Sequence, residues 1–238
     1  MRDGRLRRSE RRILIEGPHL LGAALDAGLA PKAVLGTEAG LTRPDASQLV
    51  RRTRVSPVVI ANGIFSSIVD AGTPQGIAAE LDMPTLERRG TTVFLEGVQD
   101  AGNVGAIVRS AAAFGAGSVV LDRQCADPWS AKVLRAGAGG HFLVGIRQVD
   151  DLAAAVREFK GRVLCATARA DLGLRDVVLS GETAWLFGAE GAGVSPRLEA
   201  LASERVAIPM AAGTESLNVA AAAAICLYEG FSRPAGRS

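Results

Sequence analysis

The segment Gln99-Asp100-Ala101-Gly102-Asn103-Val104-Gly105-Ala106-Ile107-Val108-Arg109-Ser110 follows an apolar run of strand length, Thr91-Thr92-Val93-Phe94-Leu95-Glu96-Gly97-Val98. Apolar residues at helical spacing come after it, so the period changes across a loop that carries glycine. That pattern predicts a strand, a glycine-bearing loop and a helix opening. Asn103 is a good N-cap residue, and Val104, Ile107, Val108, Ala111 and Phe114 then recur every three or four residues, as on a buried helix face. Gly115 and Gly117 end the helix. Arg109 lies one turn after Gly105, and long helical side chains lean toward the N-terminus. Its guanidinium is therefore predicted to reach the 99–103 loop, with no side chain at Gly105 in the way. A permanent cation, unpaired backbone N–H groups and an Asn amide at one spot suit a phosphate or a carboxylate. An arginine on a solvated helix face explains the spacing as well, and for this loop alone it is the simpler reading.

Toward the C-terminus, strands are predicted at 118–121, 143–146, 163–167, 184–187 and 206–208. They alternate with a segment around 129–136 and helices at 152–159, 196–202 and 217–228. Such alternation predicts a parallel sheet covered on both faces. Toward the N-terminus the pattern gives a strand at 13–17, a helix at 19–27 that stops at Gly28, and a strand at 33–36. A helix at 42–52 with Pro44 near its start follows, then a strand at 55–60 that Pro57 pushes to an edge. This is a small α/β unit. The turn cluster Ala71-Gly72-Thr73-Pro74-Gln75-Gly76 and the polar stretch 82–90 separate the two parts, and the domains are taken as 1–86 and 87–238. His19, alone beside apolar residues, is read as structural rather than catalytic.

With 238 residues, 48% of them hydrophobic, the chain can bury a large core; its 4% aromatic content and abundant Ala predict small-residue helices packed closely on a sheet. The net charge of +2 hides an asymmetry: residues 1–54 hold 11 Lys and Arg against 6 Asp and Glu. Arg2, Arg5, Arg7, Arg8, Arg11 and Arg12, with Arg51, Arg52 and Arg54, form either a nucleic-acid footprint or a solvated terminus. Cys125, Cys165 and Cys226 are odd in number and widely spaced, which supports neither a disulfide framework nor a metal site. Only Ile13-Leu14-Ile15 follows the basic start, too short for a signal-peptide core, and no apolar run has membrane-spanning length. A cytoplasmic protein without a membrane partner is expected.

Two further strand-loop-helix blocks resemble the first in design. Phe187-Gly188-Ala189-Glu190-Gly191-Ala192-Gly193-Val194-Ser195 leads into a helix opened by Pro196, and its glycines leave main chain exposed for close approach. Ile208-Pro209-Met210 and Thr214-Glu215-Ser216-Leu217-Asn218-Val219 follow about 20 residues later. The first block also supports a nucleotide-cofactor oxidoreductase, because Asp122 ends the next strand where a ribose-binding acid belongs. Gly102-x-x-Gly105 lacks the full glycine fingerprint, so that signal is weak.

Together and in this order, Asn103-x-Gly105-x-x-x-Arg109, Phe187-Gly188-x-Glu190-Gly191-x-Gly193 and Ile208-Pro209-Met210 with Glu215-Ser216-Leu217-Asn218-Val219 resemble the three motifs of the SpoU-type (TrmH-like) RNA 2′-O-ribose methyltransferases of the SPOUT superfamily. The resemblance covers 91–230. Residues 13–86, with Glu16-Gly17 and Thr73-Pro74-Gln75-Gly76, are similar to the small L30e-like RNA-binding domain of the ribosomal-RNA members. It implies an α/β fold: a C-terminal α/β-knot, a deep trefoil knot in a mostly parallel sheet, behind a small N-terminal α/β domain. It implies S-adenosyl-L-methionine held by the main chain of Gly188, Ile208 and Leu217 beside Gly191, Pro209 and Met210. Arg109, Asn103, Glu190, Ser216 and Asn218 match the active-site positions. Arginine stays protonated in proteins, so gripping a phosphate and steadying the alkoxide is the preferred role for Arg109, with the role of base, which the family resemblance also allows, as the alternative. Ala189 and Ala220 depart from the family pattern, standing where Asn and Ser are frequent. The implied partners are a second copy of the chain and RNA, with large-subunit ribosomal RNA favoured over transfer RNA. A non-enzymatic RNA-binding module is the remaining alternative.

Overall fold

The computed structural model describes residues 4–70, 72–168 and 170–233. Its first part runs α1 (Gly4–Glu10), β1 (Arg12–Glu16), α2 (Pro18–Asp26), β2 (Ala33–Gly36), α3 (Glu38–Thr42), α4 (Pro44–Thr53), β3 (Val58–Val59), α5 (Asn62–Ile68) and β4 (Ile77–Asp82). The four strands form one sheet in the order β1-β4-β2-β3. β4 was not expected from the sequence, because Ala78, Ala79 and Glu80 are weak strand formers. Antiparallel pairing on both sides, with β1 and with β2, builds it nonetheless. β3 shrinks to two exposed residues at the edge, shorter than the predicted 55–60. The backbone N–H of Gln75 donates to Glu16 Oε1 at 2.8 Å, so the two motifs that marked this domain in the sequence touch.

The second part runs β5 (Thr92–Leu95), α6 (Ala101–Ala113), β6 (Ser118–Leu121), α7 (Ala131–Gly137), a 3-10 turn (Gly140–Phe142), β7 (Gly145–Gln148), α8 (Leu152–Glu158), β8 (Arg162–Ala166), β9 (Leu172–Gly173), β10 (Thr183–Phe187), α9 (Pro196–Glu199), β11 (Glu204–Ala207) and α10 (Val219–Ser232). Its seven strands lie in the order β7-β6-β5-β10-β8-β11-β9, and every pairing is parallel. β10 comes late in the chain yet sits mid-sheet, between β5 and β8. The molecule is thus a small N-terminal α/β domain followed by a wholly parallel α/β domain, the two-part architecture that the resemblance implies.

Four local expectations are corrected. Asp100, not Asn103, caps α6: its carboxylate accepts from the Asn103 backbone N–H at 2.9 Å, and the helix starts at Ala101. Gly105 does not serve to clear a path for Arg109. A Cβ there would lie 2.6 Å from Val133 O and 2.9 Å from Gly137 N, so glycine is required where α7 crosses α6. His19 is exposed, whereas His141, which the sequence reading passed over, is fully buried. The N-terminal arginines are not all solvated either, since Arg7 is buried and its Nη2 pairs with Asp127 at 2.5 Å.

That last contact belongs to a seam that joins the two sheets. Trp129, Leu134 and Phe142 of the second part pack in one core with Ile13, Ile15, Leu21, Ile77 and Leu81 of the first. His141 sits within the seam, its ring centroid 5.4 Å from that of Trp129 and its Nε2 2.8 Å from Pro128 O. A carbonyl only accepts, so Nε2 carries the proton. Burial pushes the His141 pKa down to about 4, which keeps the ring neutral.

Candidate functional site

In an open parallel sheet the crevice forms beyond the carboxyl ends of the strands, where the chain leaves in opposite directions from neighbouring strands. Here that point lies between β5 and β10, with β6 and β7 on one side and β8, β11 and β9 on the other. The loops after β5 and β10 are tied together there. Glu96 N donates to Phe187 O at 2.9 Å, and Ser195 N donates to Glu96 Oε2 at 2.7 Å. Gly97, at φ 63°, lies beside Ala189, whose Cβ a side chain there would just touch at 3.6 Å.

Three of the residues singled out from sequence form one hydrogen-bonded chain. Asn218 caps α10, its Oδ1 accepting from Ala220 N at 2.9 Å and Ala221 N at 3.2 Å. That fixes the flip of the amide, so Nδ2 donates, to Asn103 Oδ1 at 3.1 Å. Asn103 is thereby oriented in turn, and its Nδ2 donates to Glu190 Oε1. Backbone N–H groups at one end and a carboxylate at the other leave one consistent set of donors. The shift of the helix cap to Asp100 has a consequence here: it frees the Asn103 side chain for this network. One amide hydrogen of Asn103 remains to be used, in a group that is only half-buried.

The structure does not bring every predicted residue into that network. Arg109 is exposed on α6 and makes no hydrogen bond or ion pair among the described residues, to the 99–103 loop or elsewhere. Ser216 is exposed in the loop between β11 and α10, and Leu217 beside it is 37% exposed. Gly191 and Pro209 are exposed, while Gly188, Ile208 and Met210 are half-buried. Glu96 and Asp100 had escaped the sequence reading. The available signals were an acid closing an apolar strand and an acid three residues before the Asn.

Asp122 has a different task from the one a dinucleotide site would give it. Its carboxylate accepts from Gly97 N at 3.2 and 3.1 Å, from Gln124 N at 3.0 Å and from Cys125 N at 2.9 Å. Occupied in this way, it anchors the loop after β5 and is not presented to a ribose. The oxidoreductase reading loses its acid. The three thiols are buried, and burial holds Cys165 and Cys226 up at about 12 and Cys125 higher still, so none is a nucleophile. No group of three or more His, Cys, Asp and Glu among the described residues could hold a metal ion.

The family model described as SpoU rRNA Methylase family matches residues 90–228, and that of the MRM3-like substrate binding domain matches 1–79. The chain belongs to the SpoU rRNA methylase family. It is 33% identical over 234 residues to an uncharacterized tRNA/rRNA methyltransferase of Synechocystis sp., covering 94% of this chain and 85% of that one. It is 32% identical over 223 residues to the 23S rRNA (guanosine(2553)-2′-O)-methyltransferase RlmP of Bacillus subtilis, covering 90% and 86%. An AdoMet-bound rRNA methyltransferase from Sinorhizobium meliloti superposes with a TM-score of 0.80 at 26% identity, covering 96% of this chain and 90% of that one.

The site's main chain fits an adenosyl group. Such a ligand asks for peptide donors and acceptors beside apolar side chains. Between Pro209 and Leu217 one backbone–backbone hydrogen bond is made, Thr214 N to Ala211 O at 3.2 Å, so neighbouring peptide groups stay open. Ile208, Met210 and Leu217 flank them. Gly191 and Gly193 hold φ of 89° and 70°, and a Cβ on either would meet nothing within 4 Å, so the backbone lies bare toward the cleft.

Proposed function

We propose that this chain methylates a ribose 2′-hydroxyl of large-subunit ribosomal RNA, with Asn103, Arg109, Glu190, Ser216 and Asn218 around the reacting oxygen. The reaction class comes with the family: an S-adenosyl-L-methionine-dependent RNA 2′-O-methyltransferase. The observation that carries the assignment of residues is the Asn218–Asn103–Glu190 chain, which joins all three sequence motifs at one point.

The bound cofactor supplies an electrophilic sulfonium methyl. Gly188, Ile208 and Leu217 hold it through main chain, with Gly191, Pro209 and Met210 alongside. Asn103, locked by its two neighbours, offers its remaining amide hydrogen to the ribose and so fixes the angle at which the hydroxyl is presented. Glu190 and Asn218 are positioning residues that keep that amide from turning. Arg109 is a fixed cation on the helix that carries Asn103. It is free to take the phosphate next to the target ribose and to stabilise negative charge on the 2′-oxygen as the hydroxyl proton passes to solvent, while the oxygen–methyl bond forms and the sulfur–methyl bond breaks. Ser216 provides a hydroxyl at the rim of the same loop.

Residues 1–86 serve in this reading as the RNA-binding domain and 87–238 as the catalytic one, in a protein of the cytoplasm; no helix of the described residues is long and apolar enough to cross a membrane. A homodimer is part of the proposal. Ile225, Tyr228 and Phe231, 39%, 54% and 63% exposed, line one side of α10 at three-residue steps, an apolar stripe that a second copy would cover. Light scattering at micromolar concentration should give twice the chain mass, and a monomer would remove the dimer from the proposal.

Transfer of tritiated methyl groups to ribosomal and transfer RNA, followed by mapping of 2′-O-methyl sites in a deletion strain, tests the substrate. One ribose of large-subunit RNA should lose its methyl group in the deletion. Labelling confined to transfer RNA would select the alternative substrate.

A further inference from the structure

A second surface carries a charge pattern that the cleft does not explain. The linker at 83–89 lies over β6 and β7, and between them runs a groove of about 820 Å³. Arg8, Arg11, Arg88, Arg89, Arg123 and Arg147 line it, against the acids Glu87 and Asp127. Asp127 is already engaged, 2.5 Å from Arg7. Arg11 donates to Thr85 Oγ1 at 2.8 Å, and Arg123 pairs with Asp150 at 2.7 Å. Arg88, Arg89 and Arg147 are exposed and make no hydrogen bond or ion pair among the described residues.

The linker is held firmly in place. A Cβ on Gly145 would fall 2.5 Å from Leu86 O, and one on Gly117 would fall 2.5 Å from Arg88 O, so linker main chain rests on both strand starts. Its arginines are thus carried by backbone seated on the sheet and not by a swinging tether. The far end of the groove reaches the carboxyl side of the sheet at Arg123 and Gln148. There Gln148 Nε2 donates to Asp122 O at 3.2 Å, and the Asp122 carboxylate anchors the loop that leads into Asn103. The groove and the cleft open at the same end of the sheet.

We propose that this groove binds the phosphate backbone of the RNA whose ribose occupies the cleft, an inference that rests on the functional reading above. Unpaired guanidinium groups along a channel match a polyanion whose charges repeat along its length. An acidic protein segment is the competing partner. RNA is favoured because the groove reaches the carboxyl end of the sheet at Arg123 and Gln148, where the cleft opens, and because its lining comes from both the part assigned to RNA binding and the part assigned to catalysis.

The full-length chain with Arg88→Gln, Arg89→Gln and Arg147→Gln tests it, since these side chains hold nothing else. Binding of fluorescein-labelled polyuridylate is measured across a salt series, beside methyl transfer to ribosomal RNA. The triple variant should bind roughly 10-fold more weakly, and the slope of log K against log salt should fall by about 2, near 0.7 per lost contact on a single strand. The triple Arg→Lys variant should keep the wild-type slope. An unchanged slope in the glutamine variant overturns the groove. Polyglutamate that binds wild type more tightly than polyuridylate, and is released by the same substitutions, overturns it in favour of an acidic protein. Wild-type protein that methylates neither ribosomal nor transfer RNA breaks the functional reading itself, separately from the slope.

Discussion

The cleft and the seam are both rich in glycine, and glycine does opposite things in them. At the seam, Gly137 and Gly139 exist because a neighbour already fills the space of a side chain: His141 Nδ1 at 2.6 Å in one case, Ala23 Cβ of α2 at 2.7 Å in the other. In the cleft, Gly191 and Gly193 face nothing, and only Gly188 behind them is close-packed, with Gly193 C filling the place of its Cβ. The polar groups differ in the same way. His141 is sealed and neutral, whereas Asn103, Glu190 and Asn218 are bonded to one another at the surface. Close packing makes the seam a determinant of stability, and bare main chain makes the cleft a determinant of binding and rate. Substitutions in the two places should therefore move different observables.

The largest effect is expected in the cleft. Arg109→Ala should lower single-turnover methyl transfer by roughly 100-fold or more, the scale for loss of one charge-stabilising donor. Cofactor affinity and melting temperature should stay near wild type, because Arg109 packs on nothing that holds either. Arg109→Lys should recover little, since the planar fork is lost. Near-normal turnover in the alanine variant would strip Arg109 of its role.

At the seam, His141 sets a pH dependence. In the unfolded chain it takes up a proton near its ordinary 6.5, while in the folded protein it resists until about 4. Protonation therefore favours unfolding, and stability falls as pH drops from about 6.5 to 4, by about 3 kcal/mol in all. Urea midpoints for wild type and His141→Gln at pH 7 and 4.5 check this. The gap between the two proteins should narrow at the lower pH, and a constant gap would refute it. Away from the seam, at the α6–α7 crossing inside the second domain, Gly105→Ala should cost about 2 kcal/mol by overpacking the two helices. Thermal melts read that loss directly, and a rise in stability would contradict the crossing geometry.

Asn218 belongs to both regimes and separates them most finely. Asn218→Asp keeps an acceptor for the α10 N-terminus but removes the donor to Asn103, so melting should hold while turnover falls by about 10-fold. Asn218→Ala should lose both, with about 1 kcal/mol of stability gone with the cap. Equal turnover in the Asp and wild-type proteins would show that the network does not position Asn103.

What could be read from the sequence follows from what is local. The change of period across 92–113 gave the strand, loop and helix, because each is specified by neighbours a few residues away. The cap of that helix was misplaced by three residues. Asp100 and Asn103 are both competent caps, and the choice is decided by Glu190, 87 residues on. β4 escaped because its alanines and glutamate carry no strand signal; its ladder comes from β1 and β2. His141 was invisible among Gly139, Gly140 and Phe142, which look like a loop until Trp129 and Pro128 close over them. The chemistry-bearing side chains were legible by type and order. Their meeting was not, since it depends on β10 entering the sheet between β5 and β8.

That placement bears on how the protein is made. Ala184 pairs with Thr92, and no earlier part of the chain supplies that neighbour. At a synthesis rate of about 5–20 residues per second, the intervening stretch takes roughly 5–20 s to appear. For most of that interval, once β6 has emerged, β5 has β6 on one side and an open edge on the other, along a strand that the finished protein buries throughout. A nascent chain with such an edge is a natural client for chaperones, and its half-built sheet has no C-terminal crevice in which a cofactor could lodge. Cofactor binding therefore reports completion of the sheet, and in a refolding experiment it should appear no earlier than burial of Trp185 on β10.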